Sequence, residues 1–452
     1  MRCDGYGRPA RRTGAEHVHD PALATTPGLD WLLGFSDAAR GVGWNARSNP
    51  SLEWNLRRTR VLLDLLGAPD RRLAVVLVAG TKGKGSTAAL LASLLAASGV
   101  RAGLYTKPHL QSYRERIRVD GEVISTADLE SAIVGVRPQV RAMRRLIPAA
   151  GEPTTFELTT ALALGHFAAS ACTVAVVEVG LGGRFDATNA TDPHVSVITP
   201  ISHDHMRELG STLRLIASEK AGVLRPGRIA IVALQDTAAA AVLSKAAKSV
   251  AAVLREISPL SAEAATRYGL ALRGAYQRQN AAVAIAASRA LAEHGVPFRE
   301  RAIARGLRQL RWPGRFELVP SRPPIVLDGA HNDGSALALA AAIRAELHGR
   351  RVRLVIGMMK DKDARAVVRA LAPIALAVYA TRPDSPRAAD PNEIARLFHH
   401  VPVRAFDDLA SALGAAGADA RTGETLCITG SLALVGQARN LLGLPVAARL
   451  WD

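Results

Sequence analysis

The chain runs to 452 residues with a formal net charge of +17, 48% hydrophobic and 4% aromatic residues. That length exceeds one ordinary hydrophobic core, so two or more domains are expected. No apolar run reaches the ~18 residues of a membrane span, and no basic run is interleaved with aromatics as a base-stacking surface requires; neither a membrane nor a nucleic acid is an expected partner.

Met1 to Gly28 is polar, with Arg8, Arg11 and Arg12, and lacks the apolar stretch of a signal peptide. It reads as a disordered basic extension. Cys3, Cys172 and Cys427 are far apart and fit no metal spacing. The latter two lie at or within apolar runs, as buried thiols of a reducing cytoplasm would. Of the 57 basic residues only eight are lysines. Lys82, Lys84, Lys107, Lys220, Lys360 and Lys362 fall in the segments taken up below, where a compact ammonium has a use that arginine does not meet.

Leu52 to Leu66 carries a helix signal that Gly67-Ala-Pro69 ends. Leu73 to Ala79 is a short apolar run, as a buried parallel strand should be. Gly80-Thr-Lys-Gly-Lys-Gly-Ser-Thr87 follows, and an Ala/Leu-rich helix over 86–97 comes next. This is the strand–loop–helix setting of a phosphate-binding loop, with a shorter spacing between its first two glycines than the strict G-x-x-x-x-G-K-[ST] pattern. Glycines let backbone N–H groups close on a phosphate, and the helix N-terminus adds partial positive charge. Lys84 would reach the terminal phosphates, and Ser86 would offer its hydroxyl to Mg²⁺.

A strand over 100–105 precedes a polar loop, Pro108 to Gly121, whose charge run Arg114 to Arg118 reads as a solvated surface. A helix covers 154–170, and a strand 173–180 carries Glu178 near its end. An acid at the C-terminal tip of a strand parallel to the phosphate-loop strand stands where a Mg²⁺ ligand belongs. A loop with Arg184 and Asp186, a strand over 195–199 and then His203, Asp204 and His205 follow. After Trp312-Pro-Gly314 a second unit begins, with strands at 324–328, 352–356, 376–380 and 425–429. The βα alternation in both parts predicts α/β domains with mostly parallel sheets.

These segments together resemble the folylpolyglutamate synthase/dihydrofolate synthase family, relatives of the Mur ligases. The matching stretches are Gly80 to Thr87, Pro108-His-Leu with Arg114-Glu-Arg-Ile117, and Glu178-Val-Gly-Leu-Gly-Gly-Arg-Phe-Asp-Ala-Thr-Asn189. Asp204-His205, Glu219-Lys-Ala-Gly222, Gln277 with Asn280, Trp312-Pro-Gly-Arg315 and Asp328-Gly-Ala-His-Asn332 complete them. The resemblance implies a P-loop Mur-ligase-like ATPase domain over 29–311 that also binds folate, and a smaller Rossmann-like glutamate-ligase domain over 312–452. It implies a cytoplasmic monomer that joins a folate or dihydropteroate to L-glutamate.

By position it implies that Gly80, Thr81, Lys82, Gly83, Lys84, Gly85, Ser86 and Thr87 hold the ATP phosphates. Ser86, Glu178 and His205 would bind a pair of Mg²⁺ ions. Lys220 matches a lysine that is carbamylated and then binds metal or phosphate. Asn280 and Arg315 would contact ATP; Asp328 and His331 would close the nucleotide site. Lys84, Lys220, His205, Asp328 and His331 form the catalytic set, with Arg114, Arg116, Arg184 and Asp186 as substrate contacts. The chain departs from the family at Lys82, where Asn is usual, and at Lys107, where Ser is usual. An ammonium has no acceptor and cannot be a metal ligand. Lys107 either turns out to solvent or points inward as a cation of the site.

The chemistry agrees: phosphoryl transfer to a carboxylate is mainly positioning and charge neutralisation by Mg²⁺, Lys and Arg. Another Mur-type ligase, or a nucleic-acid-dependent ATPase suggested by the loop and the charge, are the competing readings. The second leaves Asp328 to Asn332 and Trp312 to Arg315 unexplained.

Overall fold

The computed structural model describes residues 26–37, 41 and 43–451. The reading of Met1 to Gly28 as an extension lies outside them except at its end, where Thr26 caps the helix Pro27–Leu33; Cys3 also lies outside. Two sheets organise the chain. The first holds β1 (Ala74–Ala79), β2 (Ala102–Tyr105), β3 (Ile117–Val119), β4 (Glu122–Val123), β5 (Val174–Glu178), β6 (Val195–Ile198), β7 (Ile229–Ala233) and β8 (Val253–Ile257) in the order β4-β3-β2-β5-β1-β6-β7-β8. From β2 to β8 the pairing is parallel, and β3 and β4 add an antiparallel edge. The second holds β9 (Glu317–Val319), β10 (Ile325–Leu327), β11 (Val352–Ile356), β12 (Ala375–Ala380), β13 (Val403–Ala405) and β14 (Leu426–Thr429) in the order β13-β12-β11-β14-β10-β9. There only β9 is antiparallel.

β1 is apolar throughout because both of its faces are covered. Val75, Leu77 and Ala79 point into one core, and Val76 and Val78 into the other, as a two-residue period demands. Chain order reverses at β1: the chain leaves it for β2 on one side, beyond β5, and β6 pairs on the other. At such a point the loops leaving neighbouring strands diverge and open a crevice. The phosphate loop leaves β1 there.

The helix Glu53–Leu65 docks through a buried ion pair. Arg58 and Glu157 are 0% and 1% exposed. Arg58 Nε and Nη2 each donate to a Glu157 carboxylate oxygen at 2.7 Å, and Nη1 donates to the Ala150 carbonyl at 2.9 Å. Glu157 also closes the capping box with Thr154 that starts the helix Thr155–Ala169.

Several expectations change. The helix after the loop begins at Lys84, not at residue 86, with Gly83 at φ 80° as its cap. The strand expected over 173–180 stops at Glu178. The charge run from Arg114 to Arg118 is not a solvated surface. It forms a short 3₁₀ turn, Tyr113–Arg116, and then β3, and Arg116 and Arg118 are 4% and 2% exposed. The guanidiniums are held by carbonyls and a ring nitrogen: Arg118 Nη1 donates to the Gly121 and Ala447 carbonyls, and Arg116 Nε to His109 Nδ1. The end of the chain, expected in the second unit, returns to the first. Leu450 and Trp451 join its core, and Val123 N–H donates to the Ala448 carbonyl. Cys172 and Cys427 are buried, and burial pushes the Cys172 thiol up to about 12. Among the described residues no helix is long and apolar enough to cross a membrane.

Candidate active site

The loop is braced from below. The N–H groups of Thr81 and Lys82 donate to the Pro200 carbonyl, at 3.1 and 3.2 Å, just past β6. They are therefore committed to the scaffold, and the N–H groups of the first helical turn, from Lys84 on, remain to meet an anion. Thr199 packs so closely under Gly80 (φ 138°) that a Cβ there would overlap its hydroxyl, and Asn280 does the same at Gly83. Asn280, buried on the helix Tyr276–Glu293, donates from Nδ2 to Gln277 Oε1 at 2.8 Å. Lys84 Nζ folds onto the loop, donating to the Gly80 and Thr81 carbonyls at 3.1 and 3.3 Å. Ser86 and Thr87 are buried, and among the described residues the Thr87 hydroxyl has no hydrogen-bond partner.

Lys220, 4% exposed on the helix Leu213–Ala221, donates to the same Gly80 carbonyl at 2.8 Å. Burial first, and the Lys84 ammonium second, push Lys220 down to about 7. Glu178 pairs in register with Val78 of β1, and a Cβ on Gly85 would lie 3.3 Å from its Oε2. That oxygen accepts the Lys107 N–H at 3.0 Å. Burial raises the Glu178 carboxyl, against the pull of Lys84 and Lys107. A buried carboxylate packed against Gly85 of the loop, with the buried Ser86 hydroxyl on the next residue, is a hard-oxygen setting in which a divalent cation relieves the desolvation. Among the described residues no group of three His, Cys, Asp or Glu side chains is arranged to hold a metal ion by itself.

Lys107 turns inward. Its ammonium lies 4.8 Å from the centroid of the Phe156 ring. Burial pushes it down to about 8, with Asp186 and Glu178 opposing. A ring face and two carboxylates are what make the inward position tolerable. Asp186 itself is occupied by its own loop: it accepts the N–H groups of Leu181 and Thr188 and the Thr188 hydroxyl, at 2.8, 3.1 and 2.6 Å.

The second half closes over the loop. The Trp312 ring lies 3.5 Å from the place of a Gly85 Cβ, and Arg315 Nη1 lies 3.2 Å from that of a Gly329 Cβ. Asp328 is buried at the end of β10. Its oxygens accept the Phe316 and Ala330 N–H groups at 2.8 and 2.9 Å, and burial raises its carboxyl against Arg315. Asp328 thus ties the Trp312–Phe316 segment to the end of β10. His331 Nδ1 lies 2.8 Å from the Gly329 carbonyl oxygen.

Three predicted residues stand apart. Arg114 donates to the Ile124 carbonyl at 2.9 Å, beside β4. Arg184 is half-exposed, donating to the Ser218 carbonyl at 3.1 Å. His205, at φ 50°, faces Asp204 and Glu208 at 4.0 and 3.9 Å. Burial and the Lys362 ammonium push its imidazole down to about 4. What the motifs missed is the junction at Asp204. Its two oxygens accept Lys362 Nζ at 3.1 Å and Asn332 Nδ2 at 2.8 Å, both from the second half. Burial opposes the Asp204 charge, yet Lys362, His205 and His331 hold the carboxyl well below the usual range. The scarcity of lysine was the one signal that pointed at Lys362.

A phosphate loop on a parallel sheet, met by a second α/β unit, defines a two-part Mur-type ligase. Residues 78–259 match the Mur ligase middle domain, and residues 314–432 the Mur ligase glutamate ligase domain. The chain belongs to the folylpolyglutamate synthase/dihydrofolate synthase family. It is 34% identical over 415 residues to the Bacillus subtilis dihydrofolate synthase/folylpolyglutamate synthase, covering 86% of this chain and 94% of that one. It is 36% identical to a probable bifunctional folylpolyglutamate synthase/dihydropteroate synthase of Haloferax volcanii, covering 84% of this chain but spanning only 47% of that longer protein. The Escherichia coli structure in complex with DHPP and ADP superposes with a TM-score of 0.80 at 30% identity, over 92% of this chain and 98% of that one.

Proposed function

We propose that this ligase joins the carboxylate of a folate, or of dihydropteroate, to the amine of L-glutamate. ATP phosphorylates the carboxylate, the glutamate amine attacks the acyl phosphate, and ADP and phosphate leave. One observation carries the reading: Asp204 of the first half holds Asn332 and Lys362 of the second, and the Lys82 side chain of the phosphate loop reaches Gly334 just past the Asp328–Asn332 turn. A site made by two halves can exclude the water that would hydrolyse an acyl phosphate. The division into an ATP- and folate-binding part, 29–311, and a glutamate-ligase part, 312–452, belongs to the same proposal, with the last residues packed back on the first part. So does the reading as a cytoplasmic monomer.

Within it, Lys84 and the first-turn N–H groups bind the ATP phosphates. Asn280 and Arg315 flank the nucleotide, and Asp328 and His331 come from the opposite side. Ser86 and Glu178 would hold Mg²⁺, which when bound neutralises phosphate charge, and His205 would join them only by turning away from Asp204 and Glu208. Lys107 supplies a further fixed cation beside Glu178. Arg116 holds its place through His109 beneath the site, whereas Arg114 and Arg184 reach substrate only by leaving their present carbonyl partners. Phosphate release is expected only when ATP, Mg²⁺, glutamate and either dihydropteroate or a reduced folate are all present. Release driven by DNA or RNA without glutamate would overturn the proposal.

Lys220 is proposed to carry CO₂. A carbamate forms on a neutral amine, and an amine titrating near 7 is substantially neutral at physiological pH. With ¹³C-bicarbonate the enzyme should show a carbamate carbon resonance that Lys220→Ala removes. Ligation by that variant should fall and partly return with acetate or formate. A spectrum identical in the two proteins would remove the carbamate from the site.

A further inference from the structure

Lys82 has a use that the phosphate loop does not explain. Its N–H is anchored on Pro200, so the side chain leaves from a fixed point. It crosses to the first turn of the helix Asp333–Glu346, where a Cβ on Gly334 would coincide with the Lys82 ammonium and lie 3.7 Å from its Cδ. Asp333 and Asp204 are the carboxylates that act on it, against a burial that lowers its ordinary value. Asp204 in turn holds Lys362 and Asn332, and Asn332 caps this same helix through the Ser335 N–H at 3.0 Å. Two ammoniums and two carboxylates therefore interleave across the junction, Lys82 and Asp204 from one half, Asp333 and Lys362 from the other. A cation at a helix N-terminus is ordinarily unfavourable. Here Asp333 and Asp204 offset that cost, and Gly334 leaves the space.

We infer that Lys82 is a positioning residue that ties the phosphate loop to the second half, and that residue 334 is glycine in order to seat its ammonium. The inference rests on the proposed ligation for its kinetic consequence, though not for its geometry. Because the seat is formed by residues of both halves, losing it lowers the fraction of molecules in the closed arrangement. Turnover then falls while ATP affinity, set by Lys84 and the first-turn N–H groups, stays within a factor of a few.

The test is a double-mutant cycle of Lys82→Asn and Gly334→Ala. Alanine is a good residue for a helical first turn, so the second change does not endanger folding. ATP affinity is read by calorimetry and kcat by phosphate release. Hydrogen exchange of the peptides covering 80–83 and 332–335 is read without any substrate. With Lys82 present, Gly334→Ala should lower kcat on the order of 10-fold and raise exchange in both peptides. With Asn at position 82 it should change neither. Equal effects of Gly334→Ala in both backgrounds would overturn the inference, as would parallel loss of ATP affinity and kcat in Lys82→Asn. Absent turnover in the unaltered enzyme would instead sink the ligase reading, and the exchange cycle would still decide the Lys82 question.

Discussion

Lys84→Ala is expected to reduce ligation by ~10²-fold or more, the usual consequence of losing one charge aimed at a phosphate or oxyanion. Its folding should be unaffected. Among the described residues Lys84 Nζ bonds only to the Gly80 and Thr81 carbonyls of its own loop, and a partly exposed side chain leaves water free to replace it. The loss also reaches Lys220. Lys84 is the charged group that most strongly depresses Lys220, so removing it lets the Lys220 ammonium titrate higher and leaves less neutral amine at a given pH. The carbamate resonance should therefore weaken in Lys84→Ala. Arginine should restore little, since its planar fork cannot sit where the compact ammonium meets two carbonyls. Steady-state kinetics beside a urea melt checks both halves of the expectation: near-normal turnover in a folded Lys84→Ala protein would end the phosphate-loop assignment.

Arg58→Ala should do the reverse. It removes one member of an ion pair whose members are 0% and 1% exposed, leaving the buried Glu157 carboxylate with no cation and only the Thr154 N–H as donor. Breaking such a buried pair costs ~3–5 kcal/mol. The urea midpoint should drop accordingly, and ligation under conditions where the protein stays folded should be near normal, because no contact of Arg58 reaches the loop. A double variant Arg58→Met/Glu157→Leu should recover much of the stability, since the cost lies in the orphaned charge. An unchanged midpoint in Arg58→Ala would mean that water reaches Glu157 despite its burial.

Much of the proposed site was legible as motifs. The loop, Glu178 at its strand tip and the Asp328–Asn332 turn are each local: a strand end plus a few residues of special chemistry, readable because their geometry is set by neighbours in sequence. The strand positions were legible for the same reason, since strands covered on both faces leave continuous apolar runs. The charge run at 114–118 misled because its burial depends on β2 and on carbonyls at 447–448, hundreds of residues away, to which Arg118 donates. Lys107 could not be placed from sequence, because inward and outward differ only by the presence of Phe156, Asp186 and Glu178 around one flexible stem.

The sequence by itself determined the α/β class, the phosphate loop and the family, since each depends on short-range patterns of apolar period and glycine spacing. Only the tertiary structure decided which charges meet. Asp204 with Lys362 and Asn332, Lys82 with Gly334 and Arg58 with Glu157 are pairings across long stretches of chain. Their energies come from shared desolvation, and that is a property of the folded interior which no local run of residues encodes.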